Sequence, residues 1–155
     1  MRTGNTKFER VEMYDSDGNK FTTRSGFEAK WAEYLDLLLQ AGEIDKYEYE
    51  PEEFEFEGIK RGRGAFYKPD FLVWNKGEQF GYYVECKGYL DQVSYTKIKR
   101  FLLTFEDLAE GFQLVMQQIP KKGKQAVLLD RLRPMIAGVD GRIIDAKECL
   151  RNVKF

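Results

Sequence analysis

Two short apolar runs rich in aromatic and β-branched residues, FLVW at 71–74 and FGYYV at 80–84, stand on either side of a polar NKGEQ segment. Runs of that composition, so spaced, predict a β-hairpin crossing a core. Charge enters where a buried strand should avoid it: Asp70 leads into the first run, and Glu85 and Lys87 leave the second. An unpaired carboxylate beside a core costs roughly several kcal/mol. Something should compensate these, and a bound metal ion would do so. Residues two apart on a strand share a face, so Glu85 and Lys87 point one way and Val84 and Cys86 the other. Pairing of the two runs then brings Asp70 toward Glu85.

The residue inventory narrows the chemistry. Histidine is absent, which excludes His-activated nucleophiles, His zinc sites and His general bases. The two cysteines, Cys86 and Cys149, have no metal-ligand spacing and form no disulfide framework, which points to a reducing, intracellular (cytoplasmic) setting. Two carboxylates brought together favour a divalent cation between them. Without His or paired Cys, the preferred ions are Mg²⁺ or Mn²⁺. Magnesium keeps several waters, one of which can become a nucleophile. Lys87 stands where it can orient or help deprotonate that water, or stabilise charge on a phosphoryl oxygen. Each residue also has a plainer reading: Asp70 after Pro69 as a turn residue, Glu85 with Lys87 as an exposed ion pair, Cys86 as a small buried hydrophobe, and Glu28 as the capping-box partner of Ser25.

At 155 residues the chain fits one domain with a core of its own. The N-terminus has no apolar signal region, and no apolar run approaches the roughly 18 residues of a membrane span. KFERVEMYD, the turn signal DSDGNK and KFTTR suggest an N-terminal arm or hairpin over 1–23. From Ser25 the period becomes helical, with Phe27, Trp31, Tyr34, Leu35 and Leu38 on one face, an S-x-x-E capping box and Gly42 as the stop. Residues 43–57 carry eight acidic side chains, alternating with Tyr47, Tyr49, Phe54 and Phe56, which reads as half-solvated strand broken near Pro51. GIKRGRGA follows as a basic loop at the mouth of a site. VSYTKIKRFLLTFEDLAEG predicts a helix ending at Gly111, FQLVMQQI a buried strand, and the tail a short helix, a Val-Asp-Gly turn and a last amphipathic segment. The order helix, strand, strand, strand, helix, strand implies an α/β (α+β) fold: one mixed sheet with helices against it, core over 24–119 and an extension over 120–155.

Net charge is −1, but residues 1–57 hold 15 acidic and 7 basic side chains, and residues 58–155 hold 11 and 18. This asymmetry suggests one face that receives a polyanion and one that repels it. The basic candidates for phosphate contact are Lys60, Arg61, Arg63 and Lys68 before the hairpin, Lys97, Lys99 and Arg100 on the second helix, and Lys121, Lys122 and Lys124 in the later turn.

Lys68-Pro69-Asp70-Phe71 and Val84-Glu85-Cys86-Lys87-Gly88, with Arg24-Ser25-Gly26-Phe27-Glu28 on the preceding helix, make the chain resemble the PD-(D/E)xK nuclease superfamily over residues 24–105. Within it, the arrangement is similar to phage endonuclease I type Holliday-junction resolvases and to small phage-encoded single-domain nucleases. The interval from Asp70 to Glu85 is longer than in the endonuclease I type, and the chain ends NVKF where that type has a basic tail. The resemblance implies a restriction-endonuclease-like core, Asp70 and Glu85 as metal ligands with the backbone carbonyl of Cys86, Lys87 as the catalytic lysine, and Glu28 near a second metal. The expected activity is a Mg²⁺-dependent endonuclease acting on DNA, with Mn²⁺ as substitute; a C2 homodimer is the simplest arrangement for cutting both strands. The alternatives are a non-catalytic nucleic-acid-binding module on the same fold and a nuclease subunit active only with a partner.

Overall fold

A computed structural model of the chain describes residues 10–59 and 65–155. It opens with the expected hairpin, β1 (Val11–Tyr14) against β2 (Lys20–Thr23). The Asp15 carboxylate makes the turn, accepting from the N–H groups of Asp17 and Asn19 at 2.9 Å each. Helix α1 (Gly26–Gln40) starts on Ser25, whose hydroxyl accepts from Glu28 N–H. It stops at Gly42, whose φ of +74° lets Glu43 N–H reach back to the Leu38 carbonyl and Gly42 N–H to that of Leu39.

The remaining strands are β3 (Ile44–Tyr49), β4 (Phe54–Glu55), β5 (Phe66–Tyr67), β6 (Phe71–Asn75), β7 (Tyr82–Lys87), β8 (Gln113–Met116) and β9 (Arg142–Asp145); the helices are α2 (Gln92–Thr104), α3 (Gly123–Gly138) and α4 (Ala146–Cys149). Five strands form a mixed sheet in the order β3-β6-β7-β8-β9, antiparallel from β3 to β7 and parallel from β7 to β9. In the sheet the chain runs α1, β3, β6, β7, α2, β8, with the β4–β5 pair set between β3 and β6. The predicted hairpin is β6–β7, registered Phe71 opposite Val84 and Val73 opposite Tyr82. Its turn is longer than NKGEQ alone: Phe80 lies outside the strand and is 82% exposed.

Alternation along the strands splits the core in two. Val84, Cys86 and Val115 face α1 with Trp31, Leu35, Tyr47 and Phe71, while Tyr83, Leu114 and Met116 face α2 and α3 with Ile98, Phe101 and Leu129. Tyr47 and Phe54, one alternating pattern in the sequence, belong to opposite layers because the chain breaks at Glu50 and Pro51. The open edge of β3 is covered by the N-terminal hairpin. Ser16 Oγ donates to the Tyr47 carbonyl and accepts from its N–H, and the Phe21 ring stacks on Tyr49 at 4.7 Å.

Two expectations need correction. The second helix ends at Thr104, so Phe105 and Leu108 lie in turns before Gly111. The residues beyond 119 supply more than a short helix and an amphipathic segment. α3 runs for 16 residues, and RIID forms β9, which extends the sheet parallel to β8. The connection fits because Gly141 lies so close to Phe112 that a Cβ there would come within 2.2 Å of its carbonyl oxygen. Among the described residues, no helix is long and apolar enough to cross a membrane.

Candidate functional site

The ladder between β6 and β7 closes at Phe71 and Val84, and beyond it a side chain takes over from backbone. Asp70 Oδ2 accepts from Cys86 N–H at 2.7 Å, where the next ladder bond would stand, while Asp70's own carbonyl accepts from Glu50 N–H at 2.7 Å. Asp70 is thereby held between the ends of β3 and β7. The Lys87 carbonyl accepts from the N–H of Gln117, just past the end of β8, so the backbone of Lys87 faces β8. That of Cys86, one residue earlier, leaves on the opposite edge with its carbonyl beside Asp70.

Glu85 projects on the α2 side of the sheet. Tyr67 O–H donates to its Oε1 at 2.7 Å, and Lys87 Nζ stands 3.1 Å from its Oε2. Glu28 reaches the same end of the sheet from the first turn of α1. Its carboxylate accepts from Tyr49 O–H at 2.8 Å and from Ser25 Oγ at 3.2 Å. The cap half of the capping box is present, and the Glu28 carboxylate is directed to the Tyr49 hydroxyl.

Glu28, Asp70 and Glu85 are 8%, 9% and 4% exposed. Burial, and then the facing Glu85 and Glu28 carboxylates, push Asp70 well above the ordinary carboxylate range, against the pull of Cys86 N–H and Lys87. Burial likewise raises Glu28 over the opposing Tyr49 and Ser25 hydrogen bonds, with Glu85 and Glu50 adding to the rise. Glu85 is the main cause that holds Lys87 above its usual value, so its ammonium is fully charged at neutral pH. Cys86 is the expected buried hydrophobe, its thiol in the α1-side core and pushed up by burial.

These groups line a cleft of about 310 Å³ at the end of the sheet where β7 and β8 finish and α2 begins. Lys68 and Lys97 line it as well. The other described basic candidates do not gather there. Lys99 lies over the Tyr95 ring, 6.0 Å from its centroid, and Arg100 lines a separate hollow with Phe56 and Glu57; α2 turns by about 100° per residue, which parts them from Lys97. Lys121, Lys122 and Lys124 are exposed around the start of α3, outside the cleft lining. Lys60, Arg61 and Arg63 lie outside the described residues. Gly88 is not required by close backbone approach, since a Cβ there would meet only the end of the Gln117 side chain at 3.1 Å.

Tyr67 and Glu50 in the cleft and Tyr49 beside it went unread in the sequence, and Arg24 entered only as part of the helix motif. Tyr67 and Tyr49 hold the two glutamates, and Arg24 pairs with Glu50 at 3.1 Å, Glu50 itself having a φ of +44°. Tyr67 carried a signal, standing three residues before Asp70 in Y-K-P-D. For Tyr49, Arg24 and Glu50, only the packing of α1 against the end of β3 reveals the role.

No curated protein and no solved structure matches the chain. A family model described as "Protein of unknown function (DUF1064)" matches residues 7–119, most of the chain and every residue of the carboxylate cluster, and the chain therefore belongs to the DUF1064 family.

Proposed function

We propose that the chain is a Mg²⁺-dependent endodeoxyribonuclease, with Asp70, Glu85 and Lys87 at the phosphodiester and Glu28 beside them. The observation that carries this reading is charge. Three buried carboxylates, Glu28, Asp70 and Glu85, face one cleft; among the described residues only Glu85 of the three has an ion-pair partner, Lys87, while Arg24 is taken by Glu50. Asp70 and Glu28 are left without an ion-pair partner in a place where burial penalises their charge. A hard divalent cation matches that charge and the all-oxygen donor set, Asp70 and Glu85 with the Cys86 carbonyl on the same edge. Among the described residues, no group of three or more His, Cys, Asp or Glu side chains is placed to hold a metal ion, so a cation here would rest on the Asp70–Glu85 pair, the Cys86 carbonyl and its own waters. When bound, the cation supplies Lewis-acid stabilisation of a phosphoryl oxygen and a more acidic water.

The chain's own residues do the rest. Asp70 is anchored by Cys86 N–H and Glu85 by Tyr67 O–H, so both are pre-organised. Lys87, held protonated by Glu85, acts as a hydrogen-bond donor that orients water and stabilises charge on a non-bridging oxygen, in preference to acting as a base. Glu28, held by Tyr49, offers a further acceptor for a water on the α1 side.

A cleavage panel over duplex, nicked, single-stranded and branched DNA and RNA, with Mg²⁺ or Mn²⁺ and a light-scattering mass to detect a dimer, tests the reading. Asp70→Asn and Glu85→Gln should abolish cleavage with an unchanged circular dichroism spectrum, and substantial cleavage by either would sink it. The competing reading, a nucleic-acid-binding module without catalysis, is favoured by Tyr67 and Lys87 already engaging both Glu85 oxygens. It predicts no heat on titration with Mg²⁺ or Mn²⁺.

A further inference from the structure

Beside the cleft, on the α1 and α4 side of the end of β7, lies a larger groove of about 590 Å³. The two hollows meet along residues 24–28 and 85–88: Arg24, Glu28 and Lys87 line the cleft, Gly26, Phe27 and Gly88 the groove. The groove has Lys30 and Lys147, the amides of Gln117 and Gln118, the Phe27 ring and Leu150, and no carboxylate. Among the described residues Lys30 has one ion-pair partner, Glu33, 3.8 Å away with both side chains about half exposed, a contact that a phosphate readily replaces, and its Nζ stands over the exposed Phe155 ring, 4.1 Å from the centroid. On the far side, the cleft is lined by Glu50 and Glu53. Glu53 disfavours a polyanion on the β3–β4 side, Glu50 being paired with Arg24, while Lys30 and Lys147 draw one that lies across Asp70 and Glu85 toward the groove. The groove's volume falls in the roughly 300–1,000 Å³ range of pockets for small molecules, which accommodates a single nucleotide.

We infer that this groove binds an unpaired nucleotide of the DNA strand held in the cleft, a step that rests on reading the cleft as a DNA site. The base lies against Phe27 with the Gln117 and Gln118 amides at its edge, and Lys30 and Lys147 take the flanking phosphates. A sequence-tolerant aromatic platform beside cations is how single strands are commonly held, so the preferred substrate has unpaired nucleotides next to the scissile bond.

The test uses the full chain carrying Asp70→Asn, which prevents cutting, in fluorescence-anisotropy titrations with a labelled oligothymidylate and a blunt hairpin duplex. Adding Lys30→Ala and Lys147→Ala, both at exposed positions, should weaken oligothymidylate binding and lower the slope of log K against log salt by about 1.4, from two phosphate contacts at about 0.7 each. Hairpin binding should not change. Phe27→Leu, which keeps an apolar side chain, should weaken oligothymidylate binding at least about fivefold, the lower end of base–aromatic stacking. Unchanged affinity and slope, equal losses on both probes, or no binding of oligothymidylate would each overturn the inference. Groove-dependent binding by a protein whose wild type cuts nothing would keep the groove and remove the nuclease; cleavage with groove-independent binding would do the reverse.

Discussion

Replacing Tyr67 by Phe removes one oxygen and keeps the ring, which packs on Phe101 with centroids 5.1 Å apart. Glu85 Oε1 loses its 2.7 Å donor at a residue only 4% exposed, where water is a poor substitute. A hydrogen bond to a charged group contributes about 1.5–3 kcal/mol. Lys87 stays 3.1 Å from the other oxygen, so the carboxylate keeps a counter-charge and the roughly 3–5 kcal/mol of an orphaned buried ion does not apply. In a chain of this size about 1 kcal/mol moves Tm by about 2–4 °C, so metal-free Tyr67→Phe should melt about 3–12 °C lower. Circular dichroism melts in EDTA measure this. Tyr83→Phe is the control: its hydroxyl donates to Glu52, an exposed carboxylate, and its loss should cost less. A Tyr67→Phe protein that melts with the wild type, or a larger loss from Tyr83→Phe, would refute the argument that the Tyr67 hydroxyl carries Glu85.

Glu28→Gln retains an acceptor for Tyr49 and removes a carboxylate whose pKa is raised by burial and by Glu85 and Glu50; metal-free stability should hold or rise while cleavage collapses, and near wild-type cleavage would leave Glu28 out of the site. Ser25→Ala should cost about 1 kcal/mol through the lost cap without abolishing cleavage. Asp70 and Glu28 both have folded pKa values raised above their ordinary values of 3.8 and 4.5. Between the unfolded and folded values the native state binds more protons, so urea stability of the metal-free protein should fall as pH rises from about 4 toward neutrality, and Asp70→Asn should flatten that fall. Stability rising through that window in proportion to these two groups would contradict it. Lys97→Ala, in the cleft, should lower the salt slope of duplex binding by about 0.9, the contribution of one phosphate contact; Lys99→Ala, over Tyr95, should change it less, and an equal or reversed effect would reject the division of the helix faces.

What the sequence determined by itself was local. Period-two alternation in 71–87 set which side chains of β7 face which layer, and the two apolar runs named the hairpin that brings Asp70 toward Glu85, so Asp70, Glu85 and Lys87 were legible as one cluster. The Ser25 cap and the Gly42 stop are likewise written in neighbouring residues. The tertiary structure decided what depends on which elements meet. Glu28 satisfies a capping box in sequence, and only the packing of α1 against β3 turns its carboxylate to Tyr49. Tyr67 reads as one more aromatic until the β4–β5 pair brings its hydroxyl to Glu85. RIID is too short for its period to tell strand from helix, and it becomes β9 because β8 offers an open parallel edge. The basic residues of α2, close in sequence, part because a helix turns by about 100° per residue. Periodicity names the face a side chain takes; which group waits on that face is settled by contacts between residues far apart in the chain, and those carry no signature in either residue's own neighbourhood.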